Sequence, residues 1–295
     1  LAAALRPVSP NDGPVILFGE HATGRGFLGR VMHYSSPRRD APFAWLACDQ
    51  GGDRVGDELF GRVRASRHVH RGHIERLRGG TLHLREAQTL PRDVQETLGT
   101  CLRTGTWRRI GGEKQRPLGA RLVLSLPAPV SELLERGDLH PDLACLQEHV
   151  AIHVPPLRER REDVPGLVAA FLESYAAESG RVLRIDSDAA QLLEHGEYPG
   201  NVAQLFAVLR HAALTCQDGV LDEEAVANSL RQTGLDESRT SAPIAEALGD
   251  RERQLVAQAV HRHPGHLDQA AKDLGISRTT LWRRMRKYGI RISAH

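Results

Sequence analysis

The sequence predicts an α/β protein: a mostly parallel sheet wound with helices, then a helical subdomain, then an all-α helix-turn-helix domain. Three observations predict it. Short apolar runs alternate with helical patterns through the first half of the chain. The strand signal then fades and helical patterns continue alone. The C-terminal end carries a short helix, a turn glycine and a strongly basic helix.

The elements follow in order. PVILFG (14–19) reads as a short buried strand ending in glycine, and FLGRVMHY supplies a helix after the loop. FAWLACD (43–49), TLHL (81–84) and ARLVLSL (120–126) are three more apolar strands. Between the last two, residues 91–102 place Val94, Leu98 and Leu102 at a spacing of four, the period of one helix face. Strands alternating with helices argue for a doubly wound parallel sheet. After VPPLRERREDVP (154–165) three helical patterns appear: GLVAAFLESYAAESG, SDAAQLLEHG and NVAQLFAVLRHAAL. Ser187 stands where it would cap the second, and YPGN leads into the third. GLDESRTSAP (234–243) is small, polar and acidic with a proline, and reads as a linker. The expected domains are an α/β core over 1–160, a helical lid over 161–233, a linker over 234–249 and a helix-turn-helix over 250–295.

A chain of 295 residues has room for two domains and a short third. Its apolar fraction, 40%, supports a buried core, and with aromatics at 4% that core rests on aliphatic side chains. No apolar run reaches the length of a membrane span, and LAAALRPVSP is too short in apolar residues for a signal peptide. Leu1 in place of Met suggests an alternative start or a cut from a longer chain. Cys48, Cys101, Cys145 and Cys216 are scattered, without metal-knuckle or redox spacing, which suits a reducing cytoplasm. The net charge of +2 is uninformative, but its distribution is not. From residue 267 onward seven Lys and Arg stand against two Asp, so the tail carries +5 and the rest of the chain −3. A basic end on a mildly acidic body is the pattern of a polyanion-binding module.

The tail has the local signals of a helix-turn-helix. Leu255, Val256, Ala259 and Val260 form one apolar face. In HLDQAAKDLG the inward residues are Ala270, Ala271 and Leu274, and Gly275 ends that helix in a tight turn. Ile276 enters the core, and Ser277 caps the next helix. There Leu281, Met285 and Tyr288 form the buried stripe, and Gly289 closes it. The outward face of that helix is basic. Arg278, Thr279, Thr280 and Arg283 are the candidates for base edges; Arg284, Arg286, Lys287 and Lys272 are the candidates for phosphates. An ordinary solvated hairpin would show the charges without the cap, the turn and the one-sided face, so double-stranded DNA is the expected partner.

GEHATGRG (19–26) lies between a strand and a helix, the context of a phosphate-binding loop. Such a loop needs two glycines and a lysine, because backbone amides cradle the phosphates and the lysine reaches the terminal ones. Gly19 and Gly24 are in place, but the lysine position is Arg25, a larger fork-shaped cation. The acidic pair expected at the end of the third strand is Arg85 and Glu86, so a cation stands where a carboxylate would organise Mg²⁺.

These blocks resemble the sigma-54-dependent, NtrC-like enhancer-binding regulators of bacteria. GEHATGRG, GDELFG, GGTLHLRE, PRDVQETL, WRRIGG, VPPLRERREDVPGL and YPGNVAQL follow in the family's order, and LGISRTTLWRRMRKYGI resembles its Fis-type DNA-binding domain. The resemblance implies an AAA+-like P-loop core with a helical lid. It also locates departures from the family pattern. The sigma-54-contacting loop is replaced by RVRASRHVHR (62–71); the sensor asparagine falls at Pro127, the arginine fingers near His140 and Leu146, and the second-sensor arginine at Ala203. The expectation is therefore a DNA-binding transcriptional regulator, not an enzyme, with no cofactor. The expected partners are DNA and RNA polymerase, engaged as a homo-oligomer, a dimer rather than a hexamer, away from membranes and in the cytoplasm. The rival expectations are a divergent ATPase using Arg25 and Glu86 with ATP and Mg²⁺, and a sensor holding another ligand in the old nucleotide pocket. His68, His70, His73 and His83 are expected as solvated loop histidines, not metal ligands; the charges of 158–163 as structural ion pairs; Trp45 and Trp107 as core residues.

Overall fold

Strand β1 (Val15–Phe18) is apolar at every position, and its first three residues are fully buried, as a strand needs to be when neighbours flank it on both sides. The computed structural model describes residues 13–50, 52–63, 69–216 and 219–234, together with Leu267, Gln269 and Met285. Four further strands join β1: β2 (Phe43–Ala47), β3 (Thr81–Arg85), β4 (Arg121–Leu126) and β5 (Val150–His153). All pairings are parallel, in the order β2-β3-β4-β1-β5. The chain leaves β1 for the far edge, returns strand by strand to β4, and crosses to β5 on the other side. This reversal opens a crevice beyond the C-terminal ends of β1 and β4, where ligand sites of open α/β sheets form.

One face of the sheet is covered by α1 (Arg25–Tyr34), with Leu28 and Met32 packed on Val15, Leu17, Val123 and Ile152. The other carries α2 (Val55–Phe60), α3 (His73–Arg76), α4 (Arg92–Thr104) and α5 (Val130–Glu135) over the larger core that includes Leu82, Leu84, Leu122 and Leu124. In α4 the expected stripe is present: Val94 and Leu98 are buried, while Leu102 packs from the core's margin. The helical subdomain is built on α6 (Val164–Ser179), α7 (Ser187–Glu194), α8 (Asn201–Thr215) and α9 (Glu223–Gly234), with its own core around Leu205, Val208, Leu209 and Ala212.

Several expectations change. β5 is a fifth strand not read from the sequence, and α9 is a fourth helix after residue 161. Ser187 is not the cap of α7: it is the first helical residue, and Asp186 caps by accepting from the Ala189 amide at 2.7 Å. Trp107 is buried, but Trp45, on the edge strand β2, is 48% exposed. His83 is no loop residue: it lies fully buried in β3, whereas His70 is exposed, His73 is half-buried and His68 lies outside the described residues. The chain divides into two compact units, 1–233 and 234–295. In the second, Leu267, Gln269 and Met285 are helical and Met285 is buried, in keeping with its place on the expected stripe. The DNA-facing set, Lys272, Ser277, Arg278, Thr279, Thr280, Arg283, Arg284 and Lys287, lies outside the described residues.

Candidate functional site

The loop from Gly19 to Gly24 carries the chain from β1 into α1. A Cβ at Gly19, whose φ is +149°, would lie 2.3 Å from the Val154 carbonyl oxygen, so the backbone passes there only as glycine. Thr23 Oγ1 donates to the Glu20 carbonyl at 2.9 Å, and Gly24 precedes the helix in left-handed conformation. The frame is that of a phosphate loop, a strand delivering amides to a helix N-terminus.

The loop leads into a buried arginine. Arg25 opens α1 with only 5% of its surface exposed. In its guanidinium, Nη1 donates to the Leu126 carbonyl at the end of β4, and Nη2 to Glu86 Oε1 at 2.7 Å. Burial works against the charge of Arg25, and Glu86 offsets it. Glu86 follows β3 in a left-handed conformation, φ 53°, which aims its carboxylate across the crevice. Gln88 Nε2 donates to its second oxygen at 3.1 Å, and His21 Nδ1 lies 4.0 Å from the first. Thus Gly19 and Gly24 frame the loop and Arg25 meets Glu86, but both Glu86 oxygens and both terminal Arg25 nitrogens face protein partners. Arg85 lies beside Gly26 in the first turn of α1, where a Cβ would come 3.7 Å from its Nε, and its guanidinium carbon is 5.1 Å from the Trp45 ring centroid. The exposure of Trp45 and the orientation of Arg85 are thereby one feature, a cation–π pair at the sheet edge.

The helical subdomain clamps the loop from the other side. Arg158 makes a two-pronged ion pair with Glu20, at 2.9 and 2.5 Å, and that hydrogen bonding holds the Glu20 carboxyl below its usual range. Arg160 donates to the Thr23 carbonyl and pairs with Asp163; Arg161 pairs with Glu197. Four of the six charges of 158–163 make structural ion pairs, and two of the arginines, Arg158 and Arg160, end on the phosphate loop. Asn201, fully buried with φ 52°, accepts from the Leu157 amide at 2.8 Å and donates to Glu20 at 3.1 Å and to the His21 carbonyl at 2.9 Å. Arg158, Arg160 and Asn201 were not singled out as loop ligands from the sequence; the YPGN and RERREDVP blocks were their only signal.

Beneath α1, His83 hydrogen-bonds to Ser125 at 2.7 Å, and burial pushes its pKa down to about 3, with Arg85 and Arg25 adding to the effect. At the remaining positions carried over from the family, Pro127 directly follows β4, His140 accepts from the Asp142 amide at 3.2 Å, Leu146 is fully buried, and Ala203 is exposed on α8.

The chain matches the sigma-54 interaction domain over residues 1–153, the AAA+ ATPase lid domain over 158–243, and the Fis-family bacterial regulatory protein domain over 247–288. It is 30% identical to the nitrogen fixation protein AnfA of Azotobacter vinelandii, over 97% of this chain and 55% of that protein. It is 31% identical to the DNA-binding transcriptional regulator NtrC of Escherichia coli, over 94% of this chain and 65% of that one. The chain therefore spans about half to two thirds of the length of these curated relatives. Its fold is similar to the crystal structure of NtrX from Brucella abortus, with a TM-score of 0.70 at 26% identity, covering 98% of this chain and 67% of that one.

Proposed function

The chain belongs to the sigma-54-dependent family of bacterial transcriptional regulators, and on that premise we propose that it regulates transcription by binding DNA, with an AAA+-like body that serves as a scaffold and does not turn over ATP. The observation that carries the second half is the buried Arg25. A phosphate-loop lysine must present a compact charge to the terminal phosphates. Arg25 instead directs its fork at the Leu126 carbonyl and at Glu86, inside the protein.

The other groups fit Mg–ATP no better. Mg²⁺ requires oxygen ligands in near-octahedral geometry, and the position that should supply a carboxylate holds Arg85, a cation stacked on Trp45. Glu86 is bound by Arg25 and Gln88, not free to orient a water. The finger and second-sensor positions offer His140, Leu146 and Ala203, none of which brings a fixed positive charge. Calorimetric titration of the protein with Mg–ATP should give no saturable heat. Saturable binding that disappears in Arg25→Ala would sink the scaffold reading.

DNA binding rests on the Fis-type module at 247–288 and on the basic outward residues of its last helix. In this reading Arg278, Thr279, Thr280 and Arg283 contact base edges behind the Ser277 cap, and Lys272, Arg284 and Lys287 hold phosphates. The regulator acts on RNA polymerase by contact or by occlusion, as a dimer on a near-palindromic site.

A further inference from the structure

The geometry points to a second polyanion-binding face, at the end of the sheet opposite the phosphate loop, that takes the phosphate backbone of duplex DNA. Two segments build it. One comprises α2, the short antiparallel pair Arg62–Val63 and Val69–His70, and α3; the other is the antiparallel pair Thr106–Trp107 and Arg116–Pro117 between α4 and β4. They lead into the N-terminal ends of β3 and β4, whereas the phosphate loop leaves the C-terminal end of β1. The segments are joined: the Val63 amide donates to the Ile110 carbonyl and the Ile110 amide to the Gly61 carbonyl, each at 2.9 Å. Arg109 closes on Glu75 of α3 with contacts of 2.6 to 3.0 Å.

The charge of this face is one-sided. Among the described residues of 57–78 and 106–117, eight are Arg or Lys and four are Asp or Glu. Two of the acids are already held, Asp57 by Arg62 and Glu75 by Arg109. Arg71 and Arg116 add to the positive field around Glu75, so that single carboxylate answers three arginines. Arg76, Arg78, Arg108 and Lys114 are exposed, and none of the four pairs with a carboxylate among the described residues; the remaining acids are Glu58 and Glu113. The stem of Arg78 lies over Gly119, where a Cβ would come within 2.8 Å of its Cγ, so the arginine is seated on the backbone of the next strand's entry.

Seven of the eight cations are arginines, whose planar donors match phosphate oxygens. An ordinary solvated surface mixes both signs. Duplex DNA is the polyanion this chain meets at high local concentration if its C-terminal module binds DNA, and the choice of ligand rests on that reading. The face then adds sequence-independent grip to a site chosen by the helix-turn-helix.

The experiment uses the full chain with its helix-turn-helix silenced by Arg283→Ala, Arg284→Ala and Lys287→Ala, and a short mixed-sequence DNA duplex as probe. Salt-dependent binding should survive this silencing. Adding Arg76→Ala, Arg78→Ala, Arg108→Ala and Lys114→Ala should remove it, and should lower the salt slope of the otherwise wild-type chain by about 3, one unit for most phosphates released. Replacing the three arginines by lysine should keep most of the binding, which separates lost charge from lost fold. If the silenced chain binds no duplex while the wild type does, the second face is wrong and the helix-turn-helix stands. If neither binds, both readings fall. Binding of polyglutamate competitor-like acidic chains with no binding of duplex would also overturn the inference, assigning the face to an acidic protein partner.

Discussion

Gly29 is required by the histidine beneath it. A Cβ on this residue of α1 would lie 2.4 Å from His83 Nδ1, and His83 is fixed by its bond to Ser125. Helix propensity alone favours Gly29→Ala by about 1 kcal/mol, but overpacking costs about 1–3 kcal/mol. The variant should therefore be less stable in urea unfolding, and a stabilised variant would show that the ring has room to move. His83 also sets a pH dependence. Its folded pKa of about 3 lies below the value near ~6.5 of an unfolded imidazole. The unfolded chain thus binds more protons between those values; this contribution is whole above pH ~6.5 and is lost as pH falls toward 3, about 2 kcal/mol by pH 5. The drop in unfolding free energy from pH 7.5 to pH 5 should be smaller in His83→Gln than in the wild type; an equal drop would place the proton elsewhere. The sequence marked Arg25, Glu86 and the two loop glycines as one site because their spacing is local to two strand ends. It read His83 both within the strand TLHL and among the solvated loop histidines, and its burial was not visible, since TLHL reads the same whether a helix covers that face or not.

At the scale of elements, the joint between core and lid turns on Asn201 at the start of α8. Its amide serves Leu157, Glu20 and the His21 carbonyl at once, from a left-handed backbone that asparagine tolerates better than most residues. Asn201→Ala should cost about 2–4 kcal/mol, by stranding buried backbone groups and by strain, and should raise protease sensitivity near Leu157. Unchanged melting and proteolysis would mean that the lid is held by Arg158 and Arg160 alone. The four strands and three lid helices legible in the sequence are those with long apolar periods. β5 was missed because it is a four-residue edge strand with a half-exposed pattern, between His149 and two prolines. α9 was missed because Val226 and Leu230 give it a thin stripe, and one of its buried positions is polar, Ser229 bonded to His211. The cap at α7 was displaced by one residue because Asp186 and Ser187 are both competent caps, and the backbone selected the first.

For the whole molecule, the charge distribution sets the behaviour toward DNA. The +5 of residues 267–295 lies on a body of opposite net sign, so binding through the C-terminal module should be steeply salt-dependent. Arg284→Ala or Lys287→Ala should weaken binding to all sequences and lower the salt slope by about one unit, whereas Arg283→Ala should relax sequence preference; no change in either slope or preference would count against the assigned helix. Within the body, Arg25 and Glu86 tie the phosphate loop to the core, and Arg158 and Asn201 tie it to the lid, the arrangement that the proposed scaffold role requires. The central claim is therefore the loss of turnover, and Mg²⁺-dependent ATP hydrolysis by the purified chain tests it most directly, beside an Arg25→Lys, Arg85→Asp double variant. The expected result is no hydrolysis above the protein-free rate for the wild type. Turnover by the wild type that falls in Glu86→Gln would contradict the claim and return an ATP-driven role to this body.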